Sequence, residues 1–174
     1  MKKTASLTEK ELDVLVRQDN PAALNEMGCR ASVHNEPAEA RKYFTFASVL
    51  GCRDAHIHLA RIYEEERRFD DARDLYALAY TKGDDSALPK YARTLMFSDA
   101  KLGLDILKYN AIDGHIGCIE ELKTICTENG DEKELSFWSN WLERIKKEAA
   151  ADERMISAAS KAQKPKKKRT VNNE

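Results

Sequence analysis

Apolar and polar positions alternate along this chain with helical spacing, and the alternation itself returns about every 32 residues. Ala55, Leu59, Ile62 and Tyr63 follow one another at steps of 4, 3 and 1, which sets them on one face of a helix. The string Glu66-Arg67-Arg68-Phe69-Asp70 interrupts that stripe and predicts a turn. Ala72, Leu75, Tyr76 and Ala79 resume it as a second helix, and Gly83 supplies the left-handed backbone on which a helix ends. The preceding unit runs the same way from Ala23 to Gly51. Its second helix opens on Pro37, where a missing N–H leaves no bond unmade.

Three columns hold this register. Small residues stand at Ala23, Ala55, Ala87 and Cys118, separated by 32, 32 and 31. Helix-ending glycines stand at Gly51, Gly83 and Gly114, separated by 32 and 31. Large apolar residues stand at Phe44, Tyr76, Leu107 and Trp138, separated by 32, 31 and 31. A fixed period of this length marks stacked supersecondary units that bury their faces against each other. The small column predicts close helix approach, where a larger side chain would overpack by about 1–3 kcal/mol. The expected fold is therefore all-α, an α/α solenoid of about four helical hairpins with capping helices.

Its organisation follows from the ends. Thr8 and Glu11 form a capping-box pattern ahead of Leu12, Leu15 and Val16, and with Leu7 these predict a capping helix within residues 1–19. Residues 20–148 hold the repeats, closing on a long helix over 132–148 that carries Leu135, Trp138, Trp141, Leu142 and Ile145. Residues 149–174 extend that helix to about Ser160 and then lose all apolar period, which predicts a disordered basic tail.

These units resemble the Sel1-like repeats, a branch of the tetratricopeptide-like α/α solenoids. The matching positions are Ala23, Met27-Gly28, Ala40, Tyr43-Phe44, Ala47 and Gly51 in the first unit. In the second they are Ala55, Leu59-Ala60, Tyr63, Ala72, Leu75-Tyr76, Ala79 and Gly83. The units depart from the Sel1 branch in their length and in lacking its glycine-rich loop. The short Glu66-Arg67-Arg68-Phe69 turn is closer to an ordinary tetratricopeptide turn, so both branches stand. The resemblance implies a non-enzymatic scaffold or adaptor that binds a peptide or helix of another protein on a concave face lined by the first helices. It implies no catalytic residue and no cofactor. Projecting the register, Asn25, Cys29, His58, Arg61, Lys90 and Arg93 face outward there. Arg61 and Arg93 are equivalent in successive units, with Lys90 one turn earlier. The resemblance implies that such stacked cations grip a carboxylate of an acidic partner, a task suited to the planar fork of arginine. The alternative is a solvated face with Glu64 and Glu65 as counter-charges.

Composition narrows the function classes. The chain has 174 residues, 42% hydrophobic and 34% charged, with mean hydropathy −0.64. No apolar run approaches the ~18–20 residues that span a bilayer, so no membrane partner is expected. Met1-Lys2-Lys3 is followed by acidic residues instead of an apolar stretch, and no secretory signal is expected. Reduced cysteines in the cytoplasm follow, with Cys29, Cys52, Cys118 and Cys126 as small buried hydrophobes. Cys118 and Cys126 stand eight apart on one helix, roughly 12 Å, too far for a bridge.

Candidate chemistry is sparse. His56 and His58 point to different sides of their helix, and no His-Glu-x-x-His spacing is present, so no metal site is expected. His34 and His115 fall in turns, and no nucleophile pairs with a base and an orienting acid.

The net charge of −1 hides a split: residues 149–174 carry seven basic and three acidic residues, leaving 22 basic and 27 acidic before them. The tail string Pro165-Lys166-Lys167-Lys168-Arg169-Thr170-Val171 is similar to a monopartite nuclear-localisation signal except at Thr170. Three readings stand for Lys164, Lys166, Lys167, Lys168 and Arg169: a solubilising or weakly RNA-binding segment, a nuclear import signal, or a contact with an acidic partner. The alternative function is thus a nuclear or nucleic-acid-associated adaptor that touches nucleic acid through the tail only. No aromatic residue follows Trp141, which argues against base stacking. The sequence does not set the oligomeric state.

Overall fold

The structure, a computed structural model, describes residues 8–162. Among these residues there are nine α-helices and no strand: α1 (Glu9–Arg17), α2 (Pro21–Val33), α3 (Pro37–Val49), α4 (Arg53–Glu65), α5 (Phe69–Thr81), α6 (Ala87–Leu95), α7 (Ala100–Ile112), α8 (Ile116–Asn129) and α9 (Glu132–Ala162). After the leading α1, helices α2–α3, α4–α5 and α6–α7 pack as hairpins, and α9 follows α8 across a turn at Gly130. None of these helices is long and apolar enough to cross a membrane. Leu7 and the tail residues Lys164, Lys166, Lys167, Lys168 and Arg169 lie outside the described residues. The chain divides into two compact units at residues 121 and 122.

Local chemistry explains the helix ends. Thr8 and Glu11 close the predicted capping box of α1, and the Asn20 carboxamide oxygen accepts from the N–H groups of Ala22 and Ala23 to start α2. Pro21 and Pro37 each occupy a first helical position. Gly51, Gly83 and Gly114 take φ of +85°, +86° and +95° after α3, α5 and α7. Each is followed by a backbone bond that folds back on the helix end, as from Cys52 N–H to the Ala47 carbonyl at 2.9 Å. The turns inside the first two hairpins use the same bend without glycine: Asn35 has φ +61° and Arg67 has φ +62°.

In the first unit the register becomes packing. The small column Ala23, Ala55, Ala87 and Cys118 is fully buried, as are Tyr76 and Leu107, with Phe44 almost so. Three clusters knit neighbouring helices. Leu24, Ala47 and Ala55 join α2, α3 and α4. Ala31, Ala40, Phe44 and Leu59 do the same one layer along. Ala60, Ala72, Tyr76, Ala79 and Ala87 join α4, α5 and α6. Each large member contributes roughly 1.5–3 kcal/mol by leaving water.

Two helix contacts are closer still. A Cβ on Gly28 would lie 2.5 Å from the Phe44 ring, and one on Gly103 would lie 2.5 Å from the Ala92 carbonyl oxygen. Gly103 therefore lets α7 approach the backbone of α6. At the other end Leu12 of α1 is fully buried, with Leu15 and Val16 half-buried.

In the second unit, Gly130 turns the chain with φ +70°, and the Asp131 N–H returns to the Cys126 carbonyl at 2.9 Å. Leu122, Ile125, Cys126, Trp138 and Leu142 are buried there. Phe137 meets Trp138 edge-on and stacks on Trp141, over which the Arg144 guanidinium lies. From Lys146 to Ser157 every residue of α9 is exposed.

Candidate functional site

Helix α4 carries two histidines with different surroundings, as their two-residue separation requires. His56 is 1% exposed. Its Nδ1 lies 2.6 Å from Ser48 Oγ on α3, and its Nε2 lies 3.3 Å from Lys82 Nζ after α5. An ammonium group only donates, so Nε2 accepts from Lys82 and the ring proton sits on Nδ1, pointing at Ser48. Burial and, second, the Lys82 charge hold the His56 pKa below its ordinary value. A hydroxyl–imidazole pair is thus present that the sequence did not disclose. Its third member is a cation where a catalytic triad places an acid, so the imidazole is made a weaker base. The arrangement ties three consecutive helices together.

His58 turns toward the first-helix face. Its ring stacks on Phe44 with centroids 4.7 Å apart, and its Nε2 lies 3.6 Å from Cys29 Sγ on α2. Burial lowers the His58 pKa, with Arg61 adding to the shift, and burial raises that of the Cys29 thiol. Both groups are held neutral, so this is no thiolate–imidazolium pair. Asn25 lies half-buried on α2, and its carboxamide oxygen is buried without a hydrogen-bond partner.

The three cations projected onto this face diverge. Arg93 on α6 is half-buried and donates to Glu121 on α8 at 2.6 Å. Arg61 on α4 and Lys90 on α6 are exposed, and their side chains make no hydrogen bond or ion pair among the described residues. Glu64, expected as a counter-charge, instead accepts from the buried Tyr76 hydroxyl at 2.7 Å. Burial and that carboxylate push the Tyr76 phenol well up.

Arg61 also borders a groove of about 670 Å³ lined by the end of α2, the start of α3 and the end of α4. On its rim Arg41 pairs with Glu66, and Arg68 lies 4.2 Å from the Tyr63 ring centroid while bonding Asp71 at 2.7 Å. These arginines are occupied.

The four cysteines are free thiols, with Cys118 and Cys126 buried and Cys29 and Cys52 half-buried. Burial and the Glu121 carboxylate push Cys118 up to about 11. No group of three or more His, Cys, Asp or Glu side chains is placed to hold a metal among the described residues. His34 caps the end of α2, and His115 opens α8, its Nδ1 accepting from the Cys118 N–H at 3.2 Å.

Four of the contacts missed by sequence reasoning share a spacing. Cys29 with His58, Arg53 with the Lys82 carbonyl, Arg93 with Glu121 and His115 with the Asp85 carbonyl are 28–30 residues apart. That is one repeat less about one turn of helix, the offset at which neighbouring hairpins meet.

No family model matches the sequence, and no curated protein matches it. Among solved structures, the chain is similar to a Sel1 repeat protein from Oxalobacter formigenes, with a TM-score of 0.56 and 19% sequence identity. The likeness covers 78% of this chain, which spans 62% of the length of that protein. The hairpin register, the glycine-ended second helices and this structural likeness agree: the fold is that of a Sel1-like repeat protein.

Proposed function

We propose that this chain is a non-enzymatic scaffold that binds a peptide or helix of another protein on the first-helix face of its hairpins. Arg61 and Lys90 are the charges that select an acidic partner. The observation that carries this reading is their state: both are exposed on successive first helices and unpaired among the described residues, while nearby Arg41, Arg68 and Arg93 are all engaged. A guanidinium held on a rigid helix suits a carboxylate in a two-point contact. Asn25, His58 and Arg93 frame the same face. The fold supports this role, since stacked hairpins present extended surfaces to partners.

A displayed random-peptide library tests the reading. The wild-type chain is expected to enrich peptides containing Asp or Glu, and Arg61→Glu with Lys90→Glu is expected to lose them with an unchanged helical circular-dichroism signal. Enrichment without acidic residues, or full retention by the double variant, overturns it.

A further inference from the structure

The long helix α9 changes character along its length. Trp138, Leu142, Ile145, Ala149, Asp152 and Ile156 follow one another at steps of 4, 3, 4, 3 and 4, the spacing of a coiled-coil seam. Trp138 and Leu142 are buried and Ile145 is half-buried. The seam then runs out of cover. Every residue from Lys146 to Ser157 is exposed, with Ile156 at 70% and its neighbour Met155 at 72%. Most helices in proteins owe their stability to a packed apolar face, and this stretch has none. Charges flank the seam. Lys146 and Glu153 stand seven residues apart on one side of it, and Glu148 stands on the other. Lys146 and Glu153 make no side-chain hydrogen bond or ion pair among the described residues, and Glu148 pairs with Arg144 of its own helix at 2.9 Å.

We propose that this exposed part of α9 pairs antiparallel with the same part of a second copy of the chain. Charge complementarity argues for that occupant. Residues seven apart share one heptad position, and in an antiparallel pair that flanking position on one helix lies beside the same position on the other. Lys146 therefore meets Glu153 of the partner subunit, and Glu153 meets Lys146 of the partner subunit, so the segment is its own complement. The same register seats Ile145 against Ile156 of the partner subunit, twice by symmetry. Asp152, the polar interruption of the seam, faces Ala149 of the partner subunit, a small residue that leaves the carboxylate open to solvent. A parallel pair would instead bring Glu148 beside Glu153 of the partner subunit, a repulsion that disfavours it. The contact spans about 18 Å of helix from Ile145 to Ile156, small beside the interfaces of permanent dimers. The dimer is therefore reversible and depends on concentration. This inference uses α9 alone, is independent of the first-helix face and survives its failure.

Sedimentation equilibrium of the full chain is the test. The wild-type chain is expected to pass from monomer to dimer as concentration rises, closing at two copies. Lys146→Glu and Glu153→Lys, each alone, turn both attractions into repulsions and weaken the dimer about tenfold. Mixing these two variants in equal amounts restores dimers, because each helix then meets its complement. The chain carrying both substitutions has the wild-type net charge and dimerises as the wild type does. Ile156→Asp, at a position exposed in the single chain, abolishes dimerisation and leaves the melting temperature of the dilute monomer unchanged. A wild-type chain still monomeric at about 1 mM overturns the proposal. So does a dimer that the single charge reversals leave intact, or one that the doubly reversed chain fails to recover. A dimer retained by Ile156→Asp overturns it as well.

Discussion

The junction between the first two hairpins and the first-helix face lie on opposite sides of the same helix, and they treat polar groups in opposite ways. At the junction His56 is enclosed, with Ser48 on one ring nitrogen and Lys82 on the other. On the face, Arg61 and Lys90 stand in solvent with no hydrogen bond or ion pair among the described residues. A buried polar group must be satisfied or it costs stability, so the junction's polar contacts are explained by packing. Exposed cations carry no such obligation. Cations left unpaired on a rigid face are open to a partner, and the proposed function rests on that contrast, since the repeats otherwise account for their residues by burial.

The strongest way to break the comparison is Phe44→Ala. Phe44 belongs to a buried cluster and also lies under the His58 ring, so it supports both regions. A loss of about 3–5 kcal/mol in urea unfolding is expected. A much smaller loss would mean that the column of large residues is not the core of the stack.

Next comes Gly103→Ala, expected to destabilise by about 1–3 kcal/mol because the carbonyl of Ala92 is backbone and cannot swing aside. The same measurement on Arg67→Gly has the opposite sign. Relieving a left-handed arginine gains roughly 1–2 kcal/mol locally, and the added freedom of the unfolded chain takes part of that back. A net gain of roughly 0.5–1 kcal/mol is expected.

Acid sharpens the contrast. The folded pKa of His56 lies below its unfolded value, so the unfolded chain binds the proton more readily. This contribution is present above about 6.5, the ordinary histidine value, and is lost as pH falls from there toward the lowered folded pKa. His58 shifts the same way and adds to the loss. Lys82→Met is expected to shallow the fall in melting temperature between pH 7 and pH 5 without removing it, because burial is the larger cause at His56. An unchanged slope would exclude electrical contact between the two side chains.

The smallest stability effect belongs to the face. Arg61→Glu with Lys90→Glu is expected to change stability by less than about 0.5 kcal/mol while removing acidic-peptide binding. A substantial drop in melting temperature would show that these cations are structural after all.

Much of the fold was legible because helix periodicity and hairpin register are local properties. Ala23, Ala55 and Ala87 point to close packing by their size, and Gly51, Gly83 and Gly114 mark the bends that chirality denies to most other residues. The face was legible only as a projection. The register placed Arg61 and Arg93 at equivalent positions, and the structure separates them: Glu121 reaches Arg93, and among the described residues no carboxylate pairs with Arg61. A 31- or 32-residue period does not by itself say which acidic residue lies one repeat less a turn away.

The sequence alone therefore determined the hairpins, their order and the residues that close them, since steric size, backbone freedom and apolar spacing act within a few turns of chain. Only the tertiary structure decided which polar groups are spent. The partnering of Ser48, His56 and Lys82, of Tyr76 with Glu64, and of Arg93 with Glu121 depends on how neighbouring helices are offset and rotated. A hydrogen bond tolerates only a few tenths of an ångström in distance, far finer than any repeat period specifies.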